Sequence, residues 1–308
     1  MGGDFAPDAV LNGSILAQQE YGAACKLVLL GDEQMIRARL RELNQPDNVF
    51  EIVHAPDVIK MSSSPVKSFA EKPQSTIAVG FDLLKDGSID GFCSAGNTGA
   101  MLVGSVLKIG LIRDDLRPCL MTSLPKLDGP DGILLDAGAN ADCKPENLLD
   151  FAILGSTYAE AVLKIENPRV GLVNIGEEPE KGNQLSIAAH KLMAEYTGIN
   201  FIGNIEGRDI FDNKADVAVC SGFVGNVILK LSEKFYELAM RNGGKDDPFF
   251  AKFNYEYHGG SPVLGVQKPV IVGHGISSPK AIKNMIRLTR EIVENNLTEK
   301  IKSAAQHA

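Results

Sequence analysis

The chain has no apolar run long enough to span a bilayer, no C-x-x-C spacing and no excess of basic residues. Each absence removes a class of protein. Without about 20 consecutive apolar residues there is no transmembrane helix. An apolar content of 44% over 308 residues still suffices for a large core. The five cysteines, Cys25, Cys93, Cys119, Cys143 and Cys220, are odd in number and widely spaced, which predicts reduced thiols in a cytosolic setting and no zinc site. A formal charge of −8 does not supply the basic field of a general nucleic-acid binder. The first residues lack the basic stretch and apolar segment of a secretory leader, so none is expected.

What the chain does contain is a repeated unit of apolar run, small polar turn and helical period. The clearest example is Phe92-Cys93-Ser94-Ala95-Gly96-Asn97-Thr98-Gly99-Ala100-Met101, where a strand passes through a glycine-bearing turn into an apolar helix. Glycines there let the backbone approach a ligand, and the unpaired amides of a helix start face negative charge. Similar turns occur at 2–4, 136–142, 174–178, 206–209, 221–226 and 273–277. Strands are predicted over 25–30, 50–54, 89–93, 120–124, 133–135, 169–173, 201–205, 215–220 and 270–272. Helices are predicted over 8–20, 33–43, 75–84, 101–107, 148–164, 184–196, from after the 221–226 turn to about 241, and over 281–296, the last being the final one, with 60–74 as an exposed loop. This alternation implies an α/β fold with a mostly parallel sheet. It also predicts that the turns gather on one rim beyond the strand carboxyl ends. One domain over 1–308 is expected, with an excursion at about 231–260.

Taken in order, Met1-Gly2-Gly3-Asp4-Phe5-Ala6-Pro7, Ser94-Ala95-Gly96-Asn97-Thr98-Gly99-Ala100, Asp136-Ala137-Gly138-Ala139-Asn140 with Cys143-Lys144-Pro145-Glu146, Asn174-Ile175-Gly176-Glu177-Glu178, Asn204-Ile205-Glu206-Gly207-Arg208-Asp209 and Gly222-Phe223-Val224-Gly225-Asn226 resemble the fatty acyl-carrier-protein:phosphate acyltransferase (PlsX) family. The likeness spans nearly the whole chain. It implies a three-layer α/β/α Rossmann-like architecture related to phosphotransacetylases and to the isocitrate-dehydrogenase-like fold. It implies conversion of a long-chain acyl thioester on acyl carrier protein, plus inorganic phosphate, into acyl phosphate for phospholipid synthesis, with no cofactor and no metal. The same resemblance implies a cytoplasmic homodimer, peripherally membrane-associated, with the excursion as a tip toward the dimer mate or the membrane, and no nucleic acid as partner. A downstream glycerol-3-phosphate acyltransferase is a further partner it admits. The tip carries Phe235, Leu238, Met240, Phe249, Phe250, Phe253, Tyr255 and Tyr257 among Lys245 and Lys252. Ser221 stands where the family commonly has Asp, so no general base is assigned there, and Gln267-Lys268 replaces the usual Asn-Gly.

Acyl transfer to phosphate asks for capture, alignment and oxyanion donors more than for a strong base. Phosphate is largely dianionic near neutral pH, its second pKa being about 6 by analogy with phosphoesters. His274, Lys144, Asn97 and Asn226 are the candidate catalytic residues, His274 as proton donor to the departing thiolate and Lys144 as a cation. The substrate- and phosphate-binding candidates are Gly2, Gly3, Asp4, Ser94, Gly96, Thr98, Gly99, Asn140, Asn174, Gly176, Glu177, Arg208, Asp209, Gly222 and Gly225. Plainer roles stand beside these: a turn histidine, helix-capping asparagines, ion-paired Lys144 and Arg208. A nucleophilic cysteine is disfavoured, because Cys93 and Cys220 end apolar strands and no histidine is near any cysteine in sequence. Lys280, Lys283, Arg287 and Arg290 are a candidate basic patch for acidic acyl carrier protein. The competing functions are a short-chain phosphotransacetylase-like acyl-CoA:phosphate acyltransferase, a phosphate-sensing module, and a nicotinamide dehydrogenase. The last conflicts with the missing G-x-G-x-x-G spacing at 96–99.

Overall fold

In a computed structural model that describes residues 1–243 and 247–305, the predicted alternation appears as an α/β fold. Gly244 and Lys245 of the excursion lie outside the described residues. The strands are β1 (Val28–Gly31), β2 (Glu51–His54), β3 (Phe92–Ser94), β4 (Cys119–Leu124), β5 (Gly132–Leu135), β6 (Arg169–Asn174), β7 (Asn200–Glu206), β8 (Val217–Val219), β9 (Ser261–Leu264) and β10 (Val270–Val272). The chain forms two units. One comprises Met1–Gly110, Tyr255–Ser261 and Val266–Val293, the other Leu111–Asn254, Pro262–Gly265 and the residues from Glu294 onward.

In the first unit β1 pairs parallel with β2, and β10 pairs parallel with β3, with Val272 opposite Ser94. Helices Asp8–Tyr21 and Glu33–Glu42 bury Leu11, Ile15, Ile36 and Leu40 with Leu29 and Phe50. Their spacing of three to four residues is the helical period that made both legible. Asp32 caps the second of these helices, its Oδ1 accepting from the Met35 N–H at 3.0 Å. The segment predicted as a loop over 60–74 contains the helix Pro65–Glu71. Pro65 is pre-set for the first helical position, and Phe69 packs edge-on to Phe81 at 6.1 Å. With Phe69 as its one buried residue, no period was visible.

In the second unit the strand order is β9-β4-β5-β8-β6-β7. β4 runs antiparallel to β5 and β9, and β5, β8, β6 and β7 run parallel. Ile133, Leu134 and Leu135 of β5 and Val217, Ala218 and Val219 of β8 are all buried, as strands covered on both faces must be. Beside them Lys126 is 1% exposed; its Nζ donates to Asp216 Oδ1 at 2.7 Å. The Arg169 side chain reaches both oxygens of the same carboxylate at 2.9 Å. The helix Pro279–Glu294 is followed by another, Leu297–Ala305, beyond the 281–296 helix that the sequence pattern marks as the last. Asn296, at φ 50°, breaks the helical path between them, a conformation asparagine tolerates.

Candidate functional site

Three glycine-bearing segments of the first unit touch one another. The Gly273 N–H donates to the Ser94 carbonyl and the Asp4 N–H to the Gly275 carbonyl, both at 2.8 Å. A Cβ on Gly3 would stand 3.2 Å from the carbonyl oxygens of Ala95 and Gly275, and one on Gly2 would stand 3.2 Å from Gly96 Cα. Gly2 and Gly3 are therefore the residues that let these backbones close. Ser94 Oγ accepts from the Gly96 N–H at 3.1 Å. Asn97 is buried and caps the helix Thr98–Gly104, its Oδ1 accepting from Ala100 at 2.9 Å. Its Nδ2 donates to the carbonyls of Lys60, Met61 and Ser63 at 3.0, 3.1 and 3.2 Å, so its amide is spent on holding the 60–63 loop. Thr98 and Gly99 open that helix, with Gly99 set against the Pro65 ring. His274 is exposed, its ring 5.7 Å from that of Tyr255. Its carbonyl accepts from the Ser277 N–H and Oγ–H at 3.0 and 2.6 Å. Tyr255, which sequence reasoning did not place here, also donates through its hydroxyl to the Ile276 carbonyl at 3.1 Å.

In the second unit the loop after β5 is built around Asp136, a fully buried carboxylate. Its Oδ1 accepts from the N–H groups of Leu120, Gly138 and Ala139 at 3.0, 3.2 and 3.0 Å. Its Oδ2 accepts from the Asn140 N–H at 2.6 Å and from Asn140 Nδ2 at 2.9 Å. Five donors on one carboxylate compensate its burial. They also commit the amides of residues 138–140 inward. The helix Gly222–Arg241 starts on this loop: the Gly222 N–H donates to the Asn140 carbonyl at 2.8 Å and Asn226 Nδ2 to the Ala137 carbonyl at 3.4 Å. Gly225 packs directly on the Asp136 carbonyl. Ser221 is the cap of this helix, its Oγ accepting from Val224 at 3.4 Å. Asn140, Gly222, Gly225 and Asn226 are thus brought together. Lys144, just before the helix Pro145–Ala161, is exposed.

At the ends of β6 and β7, Lys214 gathers the acidic candidates. Its Nζ donates to Glu177 Oε1 at 2.5 Å and Asp209 Oδ2 at 2.7 Å, and these bonds, Asp209 first, raise the Lys214 pKa. Asn174 closes its own turn, Nδ2 to the Lys181 carbonyl at 3.0 Å and Oδ1 from the Ile175 N–H at 2.9 Å. Gly176 stacks on Lys181, where a Cβ would meet Cγ at 3.0 Å. Arg208 is exposed and pairs with Glu206. Lys214 was missed because nothing near it in sequence marks it; its partners lie 37 and 5 residues away.

Four of the five thiols are poor nucleophiles. Burial pushes Cys93 up to about 11. It raises Cys119 and Cys220 with help from Asp136, and raises Cys143 despite a donor at Gly222. A Cys143→Ser variant is expected to keep phosphate-dependent turnover close to wild type in a steady-state assay; loss of turnover would revive a covalent thioester route.

Comparison with known proteins places this geometry in a family. A family model described as "Fatty acid synthesis protein" matches residues 1–241. The phosphate acyltransferase of Pelotomaculum thermopropionicum is 41% identical, covering 99% of this chain and 93% of that protein. That of Desulforamulus reducens is 42% identical, covering 100% and 96%. Among solved structures, EutD phosphotransacetylase from Staphylococcus aureus aligns with a TM-score of 0.64 at 16% identity, over 93% of this chain and 92% of that one. A branched-chain phosphotransacylase from Enterococcus faecalis aligns at 0.57 and 15%, over 87% and 99%. At those identities the structural likeness concerns the fold. The match of the family model over most of the chain, with relatives at about 40% identity over nearly its full length, establishes that this chain belongs to the fatty acid synthesis protein family, the PlsX family of phosphate acyltransferases that its ordered glycine loops resemble.

Proposed function

We propose that this chain moves a long-chain acyl group from the thioester of acyl carrier protein to inorganic phosphate. A phosphate oxygen attacks the thioester carbon, an oxyanion develops on the carbonyl oxygen, and the C–S bond then breaks to give acyl phosphate and a thiolate that takes up a proton. The observation that carries the proposal is the full-length similarity to phosphate acyltransferases. In the first unit, the closing of Gly2–Gly3, Ser94–Gly99 and Gly273–Gly275 on one another supports a role in holding the oxyanion. The Thr98 and Gly99 N–H groups, which precede the capped Ala100 amide at the start of the helix Thr98–Gly104, are proposed for that task. His274, exposed beside Tyr255, is the proposed proton donor to the thiolate. The decisive assay mixes enzyme, palmitoyl-acyl carrier protein and phosphate and traps acyl phosphate with hydroxylamine. Product from acetyl-CoA and none from the long-chain thioester would favour the short-chain phosphotransacetylase alternative.

Dimerisation and membrane contact belong to the same proposal. Among the described residues no helix is long and apolar enough to cross a membrane. Phe249, Phe250 and Phe253 stack with each other, and Phe253 lies 5.2 Å from Phe211. An exposed apolar stripe runs along the helix Gly222–Arg241, at Val224, Val227, Leu231, Phe235 and Leu238, the last three within the excursion. These recur at three- to four-residue spacing, the pattern of a helix that packs on another. A Leu231→Asp, Phe235→Asp variant is expected to sediment as a monomer and to float less with anionic liposomes. Wild-type behaviour in both measurements would remove this stripe as the contact. Acyl carrier protein docking on Lys280, Lys283, Arg287 and Arg290 is weakened as a proposal by prior commitments: Lys283 pairs with Glu20 at 2.6 Å, and Arg290 lies over the Tyr21 ring at 5.1 Å.

A further inference from the structure

Two of the glycine turns that meet in the first unit, and the 60–63 loop beside them, carry three large apolar side chains turned to solvent. Phe5 is 57% exposed, Met61 42% and Ile276 41%. They come from distant parts of the chain, and the same contacts that close the corner bring them to it. The Asp4 N–H, one residue before Phe5, holds the Gly275 carbonyl, one residue before Ile276, at 2.8 Å. The Met61 methyl lies 3.1 Å from where a Cβ on Gly275 would stand, with Asp4 Oδ2 on the same point at 3.6 Å. Behind Met61, the buried Asn97 amide grips the carbonyls of Lys60, Met61 and Ser63. Beside Ile276, the Tyr255 hydroxyl grips its carbonyl at 3.1 Å. Their exposure therefore comes from an anchored backbone. The core formed by Leu11, Ile15, Leu29, Ile36, Leu40 and Phe50 does not use any of the three. Apolar surface held in place beside a substrate corner, rather than scattered, marks a binding surface.

We infer that Phe5, Met61 and Ile276 form the platform that receives the hydrocarbon chain of the thioester as it leaves the glycine corner, a subsite that favours long acyl chains and rests on the acyl-transfer activity proposed above. A saturated chain offers a protein only dispersion and the release of water. Its receptor must therefore be apolar, as Phe5 and Ile276 are, and conformationally tolerant, which Met61 provides. The platform deals with the chain, while the glycine backbones beside it deal with the carbonyl and phosphate oxygens. The two demands are met within one set of turns.

Two measurements test this. Palmitoyl-acyl carrier protein bearing a mid-chain diazirine is photolysed on the unmodified enzyme and the adducts are mapped by mass spectrometry. Adducts at residues 5, 61 and 276 are expected; adducts confined to other positions, or none, overturn the platform. In parallel, the ratio of kcat/KM for palmitoyl- over butyryl-acyl carrier protein is expected to fall about tenfold in a Met61→Ser, Ile276→Ser variant. An unchanged ratio overturns the assignment, and an unchanged ratio with an altered sedimentation coefficient gives the patch to a second copy of the chain. If the wild type forms no acyl phosphate from either thioester, the proposed activity fails, and the adduct map alone still decides whether this surface takes an acyl chain.

Discussion

A Gly225→Ala variant is expected to lose about 3 kcal/mol or more of stability and to abolish acyl phosphate formation. A Cβ at this position would fall inside the van der Waals envelope of the Asp136 carbonyl oxygen, 2.9 Å from its carbon and 3.1 Å from Cys220 Sγ. Two of these three atoms are backbone, so no side-chain rotation relieves the overlap. Either the start of the helix Gly222–Arg241 moves away from the loop after β5, or the Asp136 turn opens. Both outcomes separate Asn226 from the Ala137 carbonyl and disturb Gly222 against Asn140. Urea unfolding monitored by circular dichroism reads the stability, and hydroxylamine trapping reads the activity. Gly207→Ala is the control, because nothing lies within 4 Å of a Cβ there. It is expected to remain within about 0.5 kcal/mol of wild type. Equal stabilities for the two variants would mean that the close approach at Gly225 does not matter.

Asp216→Ala is expected to cost about 3–5 kcal/mol, because it leaves the ammonium of Lys126 buried without its counter-charge. Among the described residues Lys126 then retains Asn213 Oδ1 at 3.5 Å, while Arg169 loses both of its side-chain contacts to the carboxylate. The sign of the pairing is checked by Lys126→Met. Removing the buried cation leaves Asp216 with Arg169, whose side chain still reaches water, so this single change costs much less. Adding Lys126→Met to Asp216→Ala is expected to recover most of the loss. A single Asp216→Ala variant unfolding at the wild-type urea midpoint would refute the argument.

The same cluster sets a pH dependence. Burial alone would raise the Asp216 pKa, but hydrogen bonds from the Arg169 and Lys126 side chains and from the Arg169 N–H outweigh it and hold the carboxyl well below its ordinary range. A depressed carboxyl stabilises the folded state fully above its unfolded pKa of about 3.9 and loses that contribution as pH falls toward the folded value. Wild type is therefore expected to lose stability below about pH 4, and Asp216→Ala to show a shallower acid limb over that interval. Parallel acid limbs in the two proteins would show that another carboxylate governs the transition.

The legibility of this molecule varied with the distance over which its determinants act. The helix Glu33–Glu42 and the strands β5 and β8 were readable because period and apolar continuity are local properties. The helix Pro65–Glu71 escaped because one buried phenylalanine makes no period. Asn97 was recognisable as a polar residue at a helix start. Its three carbonyl partners lie 34 to 37 residues upstream, so its commitment to the 60–63 loop could not be inferred from spacing. Asp136 shows the same divide. An Asp opening an Ala-Gly-Ala-Asn turn is a local signal for a side chain that binds nearby amides. Its bond to the Leu120 N–H spans 16 residues and depends on β4 lying beside β5.

From the amino-acid order alone came the α/β class, the family and the set of glycine turns, since each is written in short-range patterns of residue type. Which polar groups are occupied and which face outward was settled by folding, through Asp136 drawing five donors inward, Asn97 spending its amide on a distant loop, and Phe5, Met61 and Ile276 being left exposed. Hydrogen bonds and van der Waals contacts act over a few ångströms of space, whatever the separation along the chain, so only the assembled backbone determines which partners are within reach.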